Sequence, residues 1–452
     1  MKKNLSFLLL TILLLSLFSI VFASQIRVNA SSTESWTTFM NNYQRTGTSS
    51  NTGPETNATV WKWYQGLSTI TSTRDPTESV ALTPAVVNGV VYVGTDNNSV
   101  VALNEFTGAI IWESYTGDYV RTPPTVADGK VFVGSWDGYM YALDATNGKL
   151  IWKHGPIDLN EGLSSGLWTM SPIVTQGLVV FGAQQIYALN ETNGNLVWNT
   201  TMSEGQSQSF GIALSGNEII TGSLDDNVYA LNLTTGNIIW TYPTGAYIEA
   251  VPSIAYGDVF VGSTDNYTYC LNLQTGQLVW KTEFGWSNSM GFGGGGWNHA
   301  GIADGMIFTA GTDGMRYAFN ATNGDLIWTF QTGNASWTGT DIAGGVAYFG
   351  SWDGKIYAVN EYTGKELWDF QVNGTMNGDP AIVDGMLIWG SSETGYLYAL
   401  GAPVNQPSTS PSPTEMYVIA IAAVIIIVVA IVAVVLRRRR TPSKSPTTTA
   451  TK

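Results

Sequence analysis

Arg121, Gln208, Glu249, Trp297, Asn298, His299, Trp337, Asn377 and Asp379 are the side chains whose types and spacing invite a chemical reading. Arg121 and Glu249 would orient a charged or polar group, Trp297 and Trp337 would supply flat apolar contact, and the amides, imidazole and carboxyl would add hydrogen bonds. That chemistry is binding; the set holds no paired-carboxylate or nucleophile-base spacing that would support hydrolysis or elimination. His299 is one of two histidines and Cys270 is the one cysteine. A multi-histidine metal site, an intrachain disulfide and a C-x-x-C-H haem attachment are therefore excluded, and Cys270 reads as a small core residue. Asp96, Asp137, Asp225, Asp265, Asp313 and Asp353 recur at one kind of turn. A calcium loop needs several oxygens within a few residues, and only Asp225-Asp226-Asn227 approaches that, so these acids read as turn formers and no metal is assigned. Gly291–Gly296 matches G-x-G-x-x-G but lacks a βαβ setting, and it reads as a loop.

These positions come into register only because the chain repeats itself. The stretch Pro124–Trp152, PTVADGKVFVGSWDGYMYALDATNGKLIW, reads as four strands, Pro124–Ala127, Lys130–Ser135, Tyr139–Asp144 and Lys149–Trp152. Asp128-Gly129, Asp137-Gly138 and Asn147-Gly148 supply the positive φ angles of two-residue hairpin turns, so the unit is an antiparallel meander. Its closing tryptophan recurs at Trp61, Trp112, Trp152, Trp198, Trp240, Trp280, Trp328 and Trp368. Steps of about 40 to 50 residues between such sheets indicate a propeller, because one sheet cannot bury both faces alone. The last copy, Pro380–Leu400, lacks a tryptophan strand, and Val60–Tyr64 is the expected donor. The expected fold is all-β, an eight-bladed β-propeller of four-stranded antiparallel blades spanning residues 31–402. Counting three residues before each first strand gives Ala81, Arg121, Thr169, Gln208, Glu249, Trp297, Trp337 and Asn377, the most varied and polar register, which His299 and Asp379 extend. Long entering loops at Tyr64–Thr83, His154–Ser171 and Glu283–His299 would widen the same rim.

The phrase Tyr-Ala-Leu-Asp/Asn-x-x-Thr/Asn-Gly-x-x-x-Trp, as in Tyr141–Trp152, Tyr187–Trp198 and Tyr229–Trp240, resembles the repeat of PQQ-like (pyrroloquinoline-quinone-type) β-propellers. Trp36 followed by Asn42-Tyr43-Gln44-Arg45-Thr46-Gly47 is similar to the segment that opens many of them. The resemblance implies that the eight tryptophans dock neighbouring blades. It implies less about activity, since the family includes quinoprotein dehydrogenases and non-enzymatic scaffolds resembling the outer-membrane assembly propeller. The dehydrogenase alternative would require a quinone, PQQ, with calcium held by oxygens such as those of Glu249, Asn298, Asp341 and Asp379, and Trp297 to stack on it. The adjacent cysteine pair common in that group is absent, so no cofactor is expected.

Both ends suggest export. Lys2 and Lys3 precede the apolar run Leu5–Phe22, a secretory leader within residues 1–30. Pro403–Thr414 reads as an extended linker ahead of Met416–Leu436, an uncharged stretch long enough for one transmembrane helix; Arg437–Arg440 opens a basic cytoplasmic tail. The expected protein is a single-pass type I cell-membrane protein with a monomeric extracellular propeller. All 34 acidic residues but only 11 of the 20 basic ones lie between leader and apolar segment, a poor surface for nucleic acid. Asn29, Asn57, Asn97, Asn190, Asn199, Asn232, Asn266, Asn320, Asn334 and Asn373 head Asn-X-Ser/Thr sequons, candidate glycosylation sites in an exported chain. The expected function is a binding or scaffold module for a protein, peptide or glycan at the rim.

Overall fold

The computed structural model describes residues 35–50, 52–65, 83–157, 171–203, 209, 211–283, 299–311, 313–336, 338–376, 378–391 and 394–402. The leader, linker, apolar segment and basic tail lie outside the described residues. Each blade is one antiparallel sheet. Blade 2, for example, orders Thr125–Ala127, Lys130–Gly134, Met140–Asp144 and Leu150–His154 from the inner strand outward. Eight such sheets are present among the described residues, and the inner strands of successive blades contact one another around a channel. Blade 8 orders Ala381–Val383, Met386–Gly390 and Tyr396–Gly401, and its outer strand is Thr59–Tyr64 from the front of the chain. Trp61 pairs with Ala399 and Tyr64 with Tyr396, so the ring is closed by backbone hydrogen bonds between the two ends of the propeller.

The turns correct one expectation. The first hairpin is the two-residue turn that Asp-Gly dictates: Asp128 and Gly129 sit at φ 47° and 72°. The second and third turns are longer: in the second the Ser135 amide donates to the Tyr139 carbonyl across three residues and Asp137 takes no positive φ, and the third spans four residues between Asp144 and Lys149. Asp144 Oδ1 accepts from the Thr146 amide, the Gly148 amide reaches back to the Asp144 carbonyl at 2.8 Å, and only the glycine takes a positive φ. The side-chain oxygen replaces part of the turn backbone, and the extra residue puts a bulge in the outer strand just before Trp152.

That bulge aims the tryptophan at the next blade. The indole N–H groups of Trp61, Trp112, Trp152, Trp198, Trp240, Trp280 and Trp328 donate to Glu105, Ala145, Glu191, Leu233, Leu273, Ala321 and Glu361 carbonyls of the following blade, at 2.6–3.1 Å. Each ring lies under that blade's third-turn glycine, Gly148 over Trp112 and Gly276 over Trp240, where a Cβ would fall 2.6 Å from ring carbon. At the seam after Trp368 the chain is cut rather than turned, and Asn57 Nδ2 donates to the Asp369 carbonyl instead, at 2.7 Å. Cys270 is wholly buried in blade 5, between Phe260 and Trp280 on the neighbouring strands.

A second device runs through the channel. Inner-strand amides of Val86, Val126, Leu214, Ile254, Ile302 and Ile342 donate to the carbonyls of Trp36, Thr37, Tyr43, Gln44, Thr46 and Gly47. The segment Trp36–Ser49 is thus a strap hydrogen-bonded to one blade after another, and Thr48–Ser49 ends it as a short parallel strand on blade 7. Trp36, Phe39, Met40 and Arg45 fill the space it encloses.

Repetition supplies internal controls. Gly257 and Gly276 both have positive φ, but a Cβ at Gly257 meets open space whereas one at Gly276 meets Trp240. Gly276→Ala is expected to lower unfolding free energy by about 1–3 kcal/mol more than Gly257→Ala, measured by urea unfolding. Equal losses would mean that the ring does not press on the glycine. At the seam between blades 2 and 3, Lys130 Nζ pairs with Glu191 at 2.8 Å. The repeat places Met306 and Glu361 at the corresponding positions between blades 6 and 7; Glu361 Oε1 is buried without a partner, and burial with the nearby Asp304 charge pushes its carboxyl up to about 7. A raised acid favours the folded state fully below its unfolded value of about 4.5, and that contribution is lost as pH rises through 7. Glu361→Gln should flatten thermal stability against pH over that window. Met306→Lys should raise it above pH 7 by on the order of 1 kcal/mol after allowance for screening.

Candidate functional site

The inner strand of each blade runs from its entering loop to the first turn, so entering loops and second turns share one face. Backbone bonds tie them there: Trp136 N to Tyr119 O, Thr264 N to Tyr247 O, and Trp352 N to Ala335 O. The second-turn aspartates are absorbed by this face. Asp137, Asp265 and Asp353 each accept from a tyrosine hydroxyl four residues on, from the amide two residues on, and from Gly117, Gly245 or Gly333 of the incoming loop. These acids are loop anchors.

Of the expected rim residues, Arg121, Glu249, His299 and Asp379 are described; Gln208, Trp297, Asn298, Trp337 and Asn377 lie outside the described residues, as do most of the three long entering loops. The strand pairing also corrects one register. Leu214 pairs with Ile219 as Val126 pairs with Val131, so the blade 4 equivalent of Arg121 is Ser209, not Gln208. The cause is the first turn of blade 4, where Gly216 precedes Asn217 and takes the positive φ, so counting back from the glycine slips by one. Ser209 is buried, with Oγ shared between Thr221 Oγ1 and the Gly211 carbonyl.

Arg121 is closed on the preceding blade. Its Nε and Nη2 meet Asp96 Oδ1 and Oδ2 at 3.0 and 3.1 Å, and its guanidinium lies 4.3 Å from the Trp136 ring centroid and 5.1 Å from that of Tyr119. This fork braces two blades at the mouth. Glu249 is half-buried, and desolvation raises its carboxyl. His299 is buried against the Phe39 ring edge at 4.8 Å, and its Nδ1 accepts from the Val251 amide at 3.3 Å. Burial, and then the Arg45 charge, push it down to about 3, so the imidazole is neutral.

Below the mouth lie two buried arginines bonded to neutral oxygens. Arg45, on the strap, donates to the Ile212, Phe39 and Ser171 carbonyls and to Thr38 Oγ1 at 2.7–3.0 Å. Arg316 donates to the Thr338, Gly339 and Gly350 carbonyls and to Ser336, Thr338 and Thr340 hydroxyls. Burial lowers both guanidinium values, to about 10 and about 9. Near Arg316 sit Asp341 and Asp379, both buried. Asp379 Oδ1 accepts from the Gly339 amide at 2.6 Å, and desolvation raises both carboxyls. Sequence reasoning had Asp341 only as one available oxygen and Arg45 only within the Asn42–Gly47 resemblance; it missed the strap, and Arg316 carried no pattern that set it apart. No group of three or more His, Cys, Asp or Glu able to hold a metal occurs among the described residues.

The sequons fall on two faces and the outer edge. Asn190, Asn232 and Asn320 cap third turns through Oδ1, and Asn57 lies near the corresponding junction of blade 8. Asn199 is exposed on an outer strand, its amide on Gln185. Asn97 and Asn266 stand in second turns, the first bonded to the Gln65 carbonyl and the second at φ 73°, while Asn334 and Asn373 lie in entering loops. Asn29 lies outside the described residues.

Models of one protein family, described as outer membrane protein assembly factor BamB, match residues 46–209, 182–290, 267–338 and 312–402. No curated protein matches the chain. Among solved structures, BamB from Moraxella catarrhalis is similar at 17% identity and a TM-score of 0.59, covering 76% of this chain and 97% of that one. Quinohemoprotein alcohol dehydrogenase from Comamonas testosteroni is similar at 18% identity and a TM-score of 0.68, covering 86% and 83%. A europium-containing methanol dehydrogenase follows at 16% and 0.66, covering 82% and 99%. At these identities the likeness is one of fold.

Arg45 tests whether the strap is integral. Arg45→Ala would leave four buried acceptors without their donor, and a loss of about 3 kcal/mol or more in unfolding free energy is expected. Arg45→Lys should recover little, because an ammonium cannot spread its donors as the planar fork does. Retention of wild-type stability by Arg45→Ala would show that the strap is held by its backbone bonds without the guanidinium.

Proposed function

The chain belongs to the family of outer membrane protein assembly factor BamB, and from that premise we propose that it is a membrane-anchored, cell-surface scaffold that holds a protein, peptide or glycan at the mouth of its ring. The observation that carries this reading is the strap. It fills one stretch of the channel with Phe39, Met40 and Arg45, so the ring offers a ligand a mouth and a floor rather than a through-passage. The described mouth is rigid: Arg121 is braced by Asp96, and Asp137, Asp265 and Asp353 pin the loops. Rigid scaffolds presenting variable loops are suited to recognition.

A solved BamB supports the same reading, while the dehydrogenase neighbours raise the alternative of a bound quinone. Among the described residues the donor set does not fit that group. Pyrroloquinoline quinone is a polycarboxylate and needs cations to receive it. Arg45 and Arg316 are spent on carbonyls and hydroxyls, and the ionisable groups beside Arg316 are the acids Asp341 and Asp379. Cys270 is sealed inside blade 5 and cannot flank a channel cofactor.

Anchoring follows from Leu5–Phe22, Met416–Leu436 and Arg437–Arg440, an export leader, one apolar span and a basic stop. Exported, the chain would carry glycans at sequons whose amides face solvent. In cells that make the protein, a photo-crosslinking residue at Glu249 or Thr264 should capture a partner, and one at Lys149 on the far face should not. Trp297→Ala with Trp337→Ala should lose it. Capture from Lys149 alone, or a rise in melting temperature with quinone absorbance on adding pyrroloquinoline quinone and calcium, would overturn the scaffold reading.

A further inference from the structure

Arg121, Ser209 and Glu249 are the described residues at one repeat position of the mouth, on the entering loops of blades 2, 4 and 5. The first two are satisfied within the protein: Arg121 forks onto Asp96, and Ser209 Oγ is shared between Thr221 and the Gly211 carbonyl. Glu249 is not. It is half-buried, it has no hydrogen bond or ion pair among the described residues, and burial alone raises its carboxyl, with no neighbouring charge contributing. Desolvating a carboxylate without giving it a counterion is unfavourable, and a cation placed against it would recover that loss.

Blade 2 shows what this position holds when it is complete. The entering loops of blades 2 and 5 make the same backbone bonds: Val120 and Ile248 donate to the Thr95 and Ser223 carbonyls of the preceding blade, and the Tyr119 and Tyr247 carbonyls accept from Trp136 and Thr264. At the seam of blades 1 and 2 a guanidinium therefore meets a carboxylate while lying 5.1 Å from the Tyr119 ring centroid. At the seam of blades 4 and 5 the tyrosine is kept as Tyr247, with 50% of its surface exposed, and the carboxylate stands on the loop itself as Glu249. Leu224 takes the place of Asp96 there, and Thr264 the place of Trp136. Carboxylate and exposed ring are both present, and no described residue supplies the cation.

We propose that Glu249 and Tyr247 receive an arginine side chain of a partner polypeptide, the carboxylate taking the guanidinium fork and the ring lying against its face. This rests on the mouth reading above and names the chemistry of what the mouth holds. Arginine suits the pair better than lysine, because its planar fork bonds a carboxylate through two N–H groups while its face stacks on an aromatic ring. Between leader and apolar segment the chain carries 34 acidic residues against 11 basic ones, so its field draws a basic segment towards the mouth before contact is made.

With the full chain in detergent, a fluorescein-labelled Gly-Arg-Gly-Arg-Gly peptide is titrated by anisotropy beside the same peptide carrying citrulline, which keeps the shape of arginine and loses its charge. The arginine peptide should bind, and the citrulline peptide about tenfold more weakly or not at all. Glu249→Gln should weaken the arginine peptide by about tenfold and Tyr247→Ala severalfold, while Asp325→Asn on the far face should leave it unchanged. Equal binding of the two peptides, binding of neither, or an arginine affinity that Glu249→Gln does not lower, as diffuse attraction to an acidic surface requires, overturns the proposal. The two readings fail separately: a partner crosslinked from Thr264 whose affinity survives Glu249→Gln leaves the mouth reading standing and this one false.

Discussion

The indole N–H of one blade bonded to a carbonyl of the next is the interaction on which the ring depends. A four-stranded sheet has two apolar faces and cannot cover them itself, so every blade owes its core to its neighbours. Burying a tryptophan side chain contributes an upper bound of roughly 4–6 kcal/mol, but that attraction has no direction. The hydrogen bond to the carbonyl after the third strand, and the glycine pressed on the ring, give it one. Together they set how far one blade turns relative to the next, and an error at one seam would be carried round to the closing strand.

Closure rests on backbone pairing, with Asn57 and Trp61 bracing the seams on either side of it. Thr59–Tyr64 completes blade 8, and the strap ahead of it binds the inner strands of the other blades. Both belong to the first stretch of the propeller, so no blade is finished in its ring position until the front of the chain has met the back. The same strap decides what the channel can be. With Arg45 donating to carbonyls of the adjacent blades 3 and 4, the strap becomes a packed floor under one open face.

Much of this was legible. The Asp-Gly and Asn-Gly punctuation, the tryptophan spacing and the missing outer strand of the last blade specify an eight-bladed ring closed by VWKWY, because turn chemistry and edge-strand accounting are local rules. The second-turn acids were read as turn formers, and they anchor loops as such residues do. The strap was not legible. Trp36 and Asn42–Gly47 stood out only by resemblance, because the segment is held by its own carbonyls, which every residue type carries alike. The register slip at Ser209 had a similar origin: Gly216 and Gly129 look equivalent in sequence, yet they occupy different places in their turns. Nothing around Asp341 in the sequence distinguishes a buried orphan from an exposed loop acid.

Near-identical blades make deviations interpretable, since each blade is a substitution experiment on the others. Thr125, Ser253 and Asp341 share one structural position and have three different fates. The hydroxyls are absorbed into the strap and the adjoining blades, while the carboxylate is left without a hydrogen-bond partner. Lys130 opposite Glu191 and Met306 opposite Glu361 make the same comparison at a seam, one acid paired and one not. Asp341 and Glu361 both fall in blade 7, the blade that also carries the end of the strap. A ring built by repetition needs no charge at either place. Blade 7, where the strap ends, keeps Asp341 and Glu361, while Glu218 and Asp226 of blade 4 each keep one buried oxygen without a protein partner.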